Sequence, residues 1–330
     1  MRHDGYHTPM RILVIGGTQF MGREIVRRLV ARGHEVSVLH RRDSHDLGPA
    51  VQNLQADRSD LSLVTRILRD HAFEAVFDLA YDWQHGTTAA QVEAVAGGCG
   101  SALRRYVFMS SIAAYGPGID HRESDPLVPD DVPMPYAQHK AMAERALFRM
   151  HAASGFPAVT FRPPFVYGPS QPFYREAFFW DRLLDGRPIV LPDDGSAPMQ
   201  WALVSDVAEA CVRAIEVPGA AGEAFNVGHA SPISQRAFIE ALAQTAGVTS
   251  TLVPVPRAAI VAAGGQLVGD RLYFGEFLDL PPHTEVVEKV TRVLGVEPTP
   301  FEAGLRLAFD WYRMQPRRAV DYTFDDRLVG

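Results

Sequence analysis

The chain has very little cysteine and almost no lysine. Cys99 and Cys211 are its only thiols in 330 residues, too few for a disulfide framework or a four-ligand metal cluster, so a reducing, cytoplasmic compartment is expected. His45, His85, His121, His139 and His151 lack metal-ligand spacing, and no metal is expected. No apolar run approaches the ~20 residues that span a bilayer, and the opening MRHDGYHTP has no apolar signal core, which excludes a membrane partner. Positive charge is not in excess: 39 acidic against 32 basic residues give a formal charge of -7, and the arginines are scattered, which opposes nucleic acid as a partner. What is present is 47% hydrophobic and 22% charged residues, the balance of a globular protein with one large core or two unequal ones. Of the basic residues only Lys140 and Lys289 are lysine. Lys140 stands four positions after a tyrosine, in Tyr136-Ala-Gln-His-Lys140, so the two share a helix face. A free tyrosine, with a pKa near 10, is a poor proton shuttle at neutral pH; a neighbouring ammonium favours its phenolate.

Apolar periodicity orders the elements. Arg11 to Ile15 is a strand ending in glycines, Phe20 to Arg32 a helix closed by Gly33, and Glu35 to Leu39 the next strand. Leu61 to Leu68 is helical, Ala75 to Leu79 a third strand and Tyr106 to Met109 a fourth. Tyr136 to Ser154 is a long alanine-rich helix, and Ala158 to Phe161 a further strand. This alternation predicts an α/β fold, a Rossmann-type doubly wound parallel sheet, with a smaller and partly interleaved C-terminal lobe. Residues 10–170 are expected to bind a dinucleotide, with 200–228 threaded back into that domain. Residues 171–199 and 229–315 should form the substrate lobe; beyond residue 172 helices are expected near 173–185, 205–216, 234–246 and 300–314. From Pro316 the polar end, 316–330, reads as an arm rather than core.

Gly16-Gly17-Thr18-Gln19-Phe20-Met21-Gly22 follows the first strand and opens the first helix. There, backbone amides and the helix dipole can hold a pyrophosphate. At the end of the second strand, where an acidic residue would accept the ribose hydroxyls of NAD, stand Arg41 and Arg42. Two arginines suit a 2'-phosphate, so NADP is the preferred cofactor, with NAD as the alternative. Asp57 follows a short extended segment and either reaches the adenine amino group or caps the helix beginning near Leu61.

Together with the glycine loop, Ser110-Ser111-Ile-Ala-Ala-Tyr115-Gly116, Tyr136-x-x-x-Lys140, Arg162-Pro-Pro-Phe-Val-Tyr-Gly-Pro169 and Ser205-Asp206-Val207-Ala208 occur in an order that resembles the extended short-chain dehydrogenase/reductases. The end, Phe301-Glu-Ala-Gly-Leu305 leading to Trp311-Tyr312, is similar to the terminal helix of the NAD-dependent epimerase/dehydratase group. The resemblance implies that Ser111 hydrogen-bonds the substrate oxygen, that Tyr136 exchanges its proton, and that Lys140 binds the nicotinamide ribose while tuning Tyr136. It also implies cofactor contacts from Leu79, Ala80 and Pro163. Gln19 in place of the middle glycine, Gly195-Ser-Ala-Pro-Met-Gln200, and the short Asp78-Leu-Ala-Tyr-Asp-Trp83 are similar to the atypical branch that contains the chloroplast stem-loop-binding proteins. Members of that branch commonly lack the tyrosine and lysine, which are complete here.

Departures from the family pattern narrow the reaction. Its dehydratases and decarboxylases carry acidic residues where this chain has Ile112 and Ala113, which disfavours both reactions. Its sugar-nucleotide epimerases hold a diphosphate with an asparagine and an arginine where this chain has Phe165 and Met199, a pair unable to neutralise one. Around a small-molecule substrate we expect Tyr81, Trp83, Phe165, Tyr167, Met199, Gln200 and Trp201, each at a strand end or in a loop. The expected function is hydride transfer between NADP or NAD and a carbonyl or hydroxyl of a small polar, sugar-like metabolite. A redox-neutral sugar epimerase that retains NAD is the alternative, and a nucleotide-sensing or RNA-binding protein the third reading. Relatives dimerise through the tyrosine-lysine helix and the one before it, here near Thr87 to Ala96, so a homodimer is expected. The apolar stretch Ala258 to Val268 reads as a lid, a core helix or a subunit contact.

Overall fold

The computed structural model describes residues 8–330. The first seven residues of the opening segment lie outside the described residues. In chain order the first half contains β1 (Arg11–Ile15), α1 (Phe20–Ala31), β2 (Glu35–His40), β3 (Val51–Gln55), α2 (Leu61–His71), β4 (Ala75–Asp78), α3 (Ala89–Gly98), β5 (Arg105–Met109), a 3-10 turn at Ile112–Tyr115, β6 (Gly118–His121), α4 (Pro135–Ser154) and β7 (Ala158–Arg162). The second half contains β8 (Phe165–Tyr167), α5 (Glu176–Leu184), β9 (Ile189–Pro192), β10 (Pro198–Met199), β11 (Trp201–Leu203), α6 (Val204–Glu216), β12 (Glu223–Asn226), β13 (Ile233–Ser234) and α7 (Gln235–Ala246). It ends with β14 (Leu252–Val255), α8 (Arg257–Ala262), β15 (His283–Glu285), α9 (Glu288–Leu294), α10 (Phe301–Arg313) and α11 (Thr323–Val329).

Seven strands form one parallel sheet in the order β12-β7-β5-β4-β1-β2-β3. Side chains alternate across a strand, and each face of this sheet has its own core. Ile12 and Val14 of β1 pack with Ile25 and Leu29 of α1 and Val207 of α6; Leu13 and Ile15 pack with Val64 of α2, Val92 of α3 and Leu147 of α4. This is why the sheet strands read as continuous apolar runs. The strand order reverses between β1 and β4, and ligands bind at such a switch point, outside the carboxyl ends of the strands. The glycine loop leaves β1 there.

One strand lies where the apolar pattern is faint. Val51–Gln55 pairs in parallel with β2 as the edge of the sheet, so the run at Ala75 is the fourth strand rather than the third. Its mixed burial, with only Val51 fully buried, explains the weak signal. At the opposite edge β12 pairs with β7, which returns the chain from the second lobe to the sheet.

The second lobe has a separate aromatic core, in which Trp180, Phe178 and Phe179 of α5 pack with Phe238 of α7 and Phe309 of α10. The C-terminal segment, expected as an arm, adds to this core. Phe324 of α11 is buried in it, and Asp325 forms a buried, two-pronged ion pair with Arg182 at 2.6 and 3.0 Å. The polar composition misled because its buried charge is neutralised by a distant partner. Of the stretch Ala258 to Val268, only α8 is helical; Ile260 is buried, whereas Val261 and Val268 are exposed. Removing one partner of a buried pair leaves an uncompensated charge. Asp325→Ala should therefore destabilise the protein by about 3–5 kcal/mol in urea unfolding, and wild-type stability in that variant would show that α11 is a dispensable arm.

Candidate active site

The glycine loop is built for an anion. Gly16 sits at φ +88° against Ala80, and a Cβ on Gly22 would fall 2.1 Å from the Gly16 carbonyl oxygen. Phe20 enters α1 at φ +41°, a left-handed conformation that is strained for a bulky residue. Gln19 stands at the N-cap with no side-chain capping bond, and the first turn carries no acidic residue, so no side chain competes for its positive end. Thr18 and Met21 lie in this loop, and Leu79 continues the β4 ladder by donating to the Ile15 carbonyl at 3.1 Å. These features fit a dinucleotide pyrophosphate. Arg41 and Arg42 are exposed at the end of β2, and neither forms a salt bridge among the described residues. Asp57 does not cap α2: Asp60 does, by accepting from Leu63 N. Asp57 instead accepts from the backbone and hydroxyl of Ser59.

On α4, Tyr136, Lys140 and Glu144 recur every four residues and line one face. Pro at the first helical position and Gly155 in the left-handed C-cap delimit this helix. Glu144 is fully buried. It accepts from Ser110 Oγ, from Thr160 Oγ1 at 2.9 Å, and from the Arg162 guanidinium at 2.6 to 3.0 Å. Arg162 also donates to Tyr115 Oη at 2.6 Å, which donates to Asn226 at 2.7 Å. The neighbouring Ser111 is thereby held on the 3-10 turn, its hydroxyl accepting from Ala113 N at 3.2 Å. Ile112 N bonds the Pro163 carbonyl at 3.1 Å.

Lys140 is buried, and its ammonium donates to the Met109 carbonyl at 2.6 Å. It lies 5.7 Å from the Tyr136 ring centroid and 5.2 Å from that of Tyr81. Burial pushes its pKa down to about 8, against the pull of Asp78. Asp78 is itself buried, pairing with Arg58 at 2.5 Å and accepting from Tyr106 Oη at 2.7 Å. Tyr136 stacks on Trp83 at 5.1 Å and meets Tyr81 edge-on at 4.9 Å. Enclosure raises the phenol's pKa above its ordinary value; a hydrogen bond with Ser111 and the charge of Arg175 oppose the rise. The ammonium of Lys140 is turned to the Met109 carbonyl and stands beside the Tyr136 ring rather than donating to its hydroxyl.

The residues expected around a substrate divide into two groups. Tyr81 and Trp83 stand against Tyr136, whereas partly exposed Phe165 lies against Trp201 and under the Arg175 guanidinium. Tyr81 is bonded to His139 at 2.9 Å; Trp83 is 62% exposed, although it covers the phenol. Tyr167, Met199 and Trp201 belong instead to the aromatic core of the second lobe. Tyr167 is bonded to His229 at 2.9 Å. Gln200 is fully buried, with its amide committed to the backbone of His229 and Glu285 at 2.6 to 2.9 Å. These four are corrected from substrate contacts to structural residues, since a strand end facing the lobe core carries the same sequence signal as one facing a cleft. Glu144, Asp78, Arg58 and Arg175 escaped the sequence reading. An acidic residue on the buried face of α4 was a readable sign for Glu144; the others carry no local signal. Among the described residues, no group of three His, Cys, Asp or Glu side chains could hold a metal ion, and no helix is long and apolar enough to cross a membrane.

Residues 12–228 match the model of the NAD dependent epimerase/dehydratase family. Over 97% of this chain and 84% of the relative, the sequence is 27% identical to the chloroplast stem-loop binding protein of 41 kDa b of Arabidopsis thaliana. It is 29% identical to the 2-alkyl-3-oxoalkanoate reductase of Stenotrophomonas maltophilia, over 94% of this chain and 93% of that one. Among solved structures, the Thermus thermophilus UDP-glucose 4-epimerase in complex with NAD superposes with a TM-score of 0.70 at 26% identity, over 92% of this chain and 99% of that one. Because a Cβ at position 22 meets backbone, Gly22→Ala should weaken nicotinamide-nucleotide affinity by about 100-fold or more, roughly 3 kcal/mol, in a fluorescence titration; unchanged affinity would place the pyrophosphate elsewhere.

Proposed function

The chain belongs to the NAD-dependent epimerase/dehydratase family, and we propose that it is an NADP-preferring oxidoreductase in which Tyr136 protonates the oxygen of a substrate carbonyl. One observation carries this reading: the Tyr136 phenol, enclosed by Tyr81 and Trp83, stands one helical turn from the buried Lys140 ammonium, which lies 5.7 Å from its ring. Reducing a carbonyl leaves an alkoxide, a much stronger base than a phenolate, so a protonated Tyr136 is an acid suited to the reductive direction. Ser111 positions the same oxygen by hydrogen bonding. Lys140, with a pKa pushed down to about 8, is a stronger acid than the phenol, which makes proton return from the ammonium to the Tyr136 phenolate downhill.

The glycine loop from Gly16 to Gly22 would hold the pyrophosphate, Arg41 and Arg42 the 2'-phosphate, and Asp57 the adenine. Leu79, Ala80, Lys140 and Pro163 would line the nicotinamide end. When bound, the nicotinamide supplies the hydride. Apolar Ile112 and Ala113 offer no second acid or base for dehydration. The name of one relative, an oxoalkanoate reductase, supports carbonyl reduction; those of several structural neighbours, UDP-sugar epimerases, support the redox-neutral alternative.

Native mass spectrometry and titration with NADPH and NADH test the reading. An empty protein that prefers NADPH by at least about tenfold (about 1.4 kcal/mol), and loses that preference in Arg41→Ala/Arg42→Ala, is the expected result. Retained cofactor without net oxidation on turnover would instead mark an epimerase, and binding of neither nucleotide a sensing or RNA-binding role. Tyr136→Phe should lower kcat by about 10²-fold or more with NADPH affinity nearly unchanged. Loss of the Lys140 charge should make kcat/KM fall above about pH 8, and Lys140→Arg should remove that alkaline limb; a limb unmoved in Lys140→Arg would assign it to another group.

A further inference from the structure

Arg175 is a cation placed where its own chain gives it no reason to be. It is the N-cap residue of α5, at the positive end of the helix dipole, where a cation is disfavoured. Among the described residues it forms no salt bridge. Its guanidinium donates through Nε to the Glu276 carbonyl at 3.2 Å and through Nη1 to the Val166 carbonyl at 3.5 Å, two neutral acceptors, and Nη2 has no such partner. Glu276, whose backbone carbonyl it meets, has its carboxylate Oε2 engaged by Tyr174 N at 2.9 Å. Aromatic rings surround the cation: its carbon lies 4.7 Å from the centroid of Phe173 and 5.4 Å from that of Phe165. Desolvation pushes its pKa down against the nearby charges of Glu176 and Glu276, neither of which forms an ion pair with it among the described residues, so an anion that entered within contact distance would relieve an existing electrostatic cost.

The same rings lead to the proton donor. Phe173 meets Trp83 edge-on at 5.6 Å, and Trp83 stacks on Tyr136 at 5.1 Å. Arg175 is also near enough to Tyr136 to act on its charge. The cation and the phenol thus stand at the two ends of one run of aromatic rings. Phe165, an apolar residue where a sugar-nucleotide enzyme would have a diphosphate ligand, is one of the rings under Arg175. One guanidinium neutralises one charge. A diphosphate would leave its second charge among aromatic rings, whereas a carboxylate matches both the charge and the planar fork.

We propose that Arg175 is the anion clamp of the substrate site, and that the substrate is an oxo acid whose carboxylate it holds while the ketone faces Tyr136. This rests on the reductase reading above. The test pairs 3-oxooctanoate with methyl 3-oxooctanoate, which has the same ketone and chain but no charge. Calorimetric titration of the protein–NADPH complex should show the acid binding at least about tenfold tighter than the ester, a difference of about 1.4 kcal/mol. Arg175→Gln should bring the two within about threefold by weakening the acid alone, and Arg175→Lys should keep part of the preference. Equal binding of acid and ester by the wild type, binding of neither, or equal weakening of both by Arg175→Gln overturns the clamp; the wild-type comparison decides even if the variant fails to fold. NADPH oxidation with both compounds is followed in parallel. Acid-selective binding without oxidation keeps the clamp and overturns the reductase reading, while oxidation of both at equal efficiency and affinity does the reverse.

Discussion

A carboxylate with no access to water must be neutralised within the protein, and Glu144 meets that demand by drawing three elements together. Ser110 at the end of β5, Thr160 and Arg162 on β7, and α4 itself converge on it. Through Arg162 the network continues to Tyr115 and Asn226, and from the Asn226 amide to the His121 and Val286 carbonyls at 3.0 and 3.1 Å. Satisfied buried networks of this kind specify one arrangement because any slip strands a charge. Ser111 follows Ser110, and Tyr136 and Lys140 lie eight and four residues before Glu144, so the pairing that fixes the helix against the sheet also fixes serine, tyrosine and lysine relative to one another.

Two further charges set the electrical character of the site. Asp78, held by Arg58 and Tyr106, supports the Lys140 ammonium against the desolvation that lowers its pKa. Arg175 approaches from the second lobe and opposes the rise of the Tyr136 pKa. The phenol thus has two cations near it, Lys140 of its own helix and Arg175 from the second lobe, under an aromatic cover of Tyr81 and Trp83. Such a site holds its proton at neutral pH and stabilises negative charge when that proton leaves.

The strand, glycine loop and helix at residues 11–31 were legible because local sequence dictates them: an apolar run, a turn that only glycine can make, and a helix without acidic residues in its first turn. The serine, tyrosine and lysine were legible because their spacing is local. The edge strand β3 was faint, since a half-exposed strand carries little apolar signal. Tyr167, Met199 and Gln200 were misassigned because a residue type at a strand end does not say which side of the strand faces the core. Arg175 was invisible for a related reason. The apolar pair Phe165 and Met199 argued against a diphosphate and showed no cation, but the charge arrives from the start of α5, ten residues beyond Phe165, while Met199 turns away into the lobe core.

The doubly wound sheet, its glycine loop and the helix that carries Tyr136 and Lys140 are written in the chain itself, because each depends on hydrophobic periodicity and backbone geometry within a few tens of residues. Where the charges act follows from packing alone. Electrostatic effects depend on distance and burial rather than on chain position, so the partners of Glu144, the docking of Asp325 on Arg182, the turn of Lys140 toward Met109 and the arrival of Arg175 beside Tyr136 exist only once the two lobes have packed.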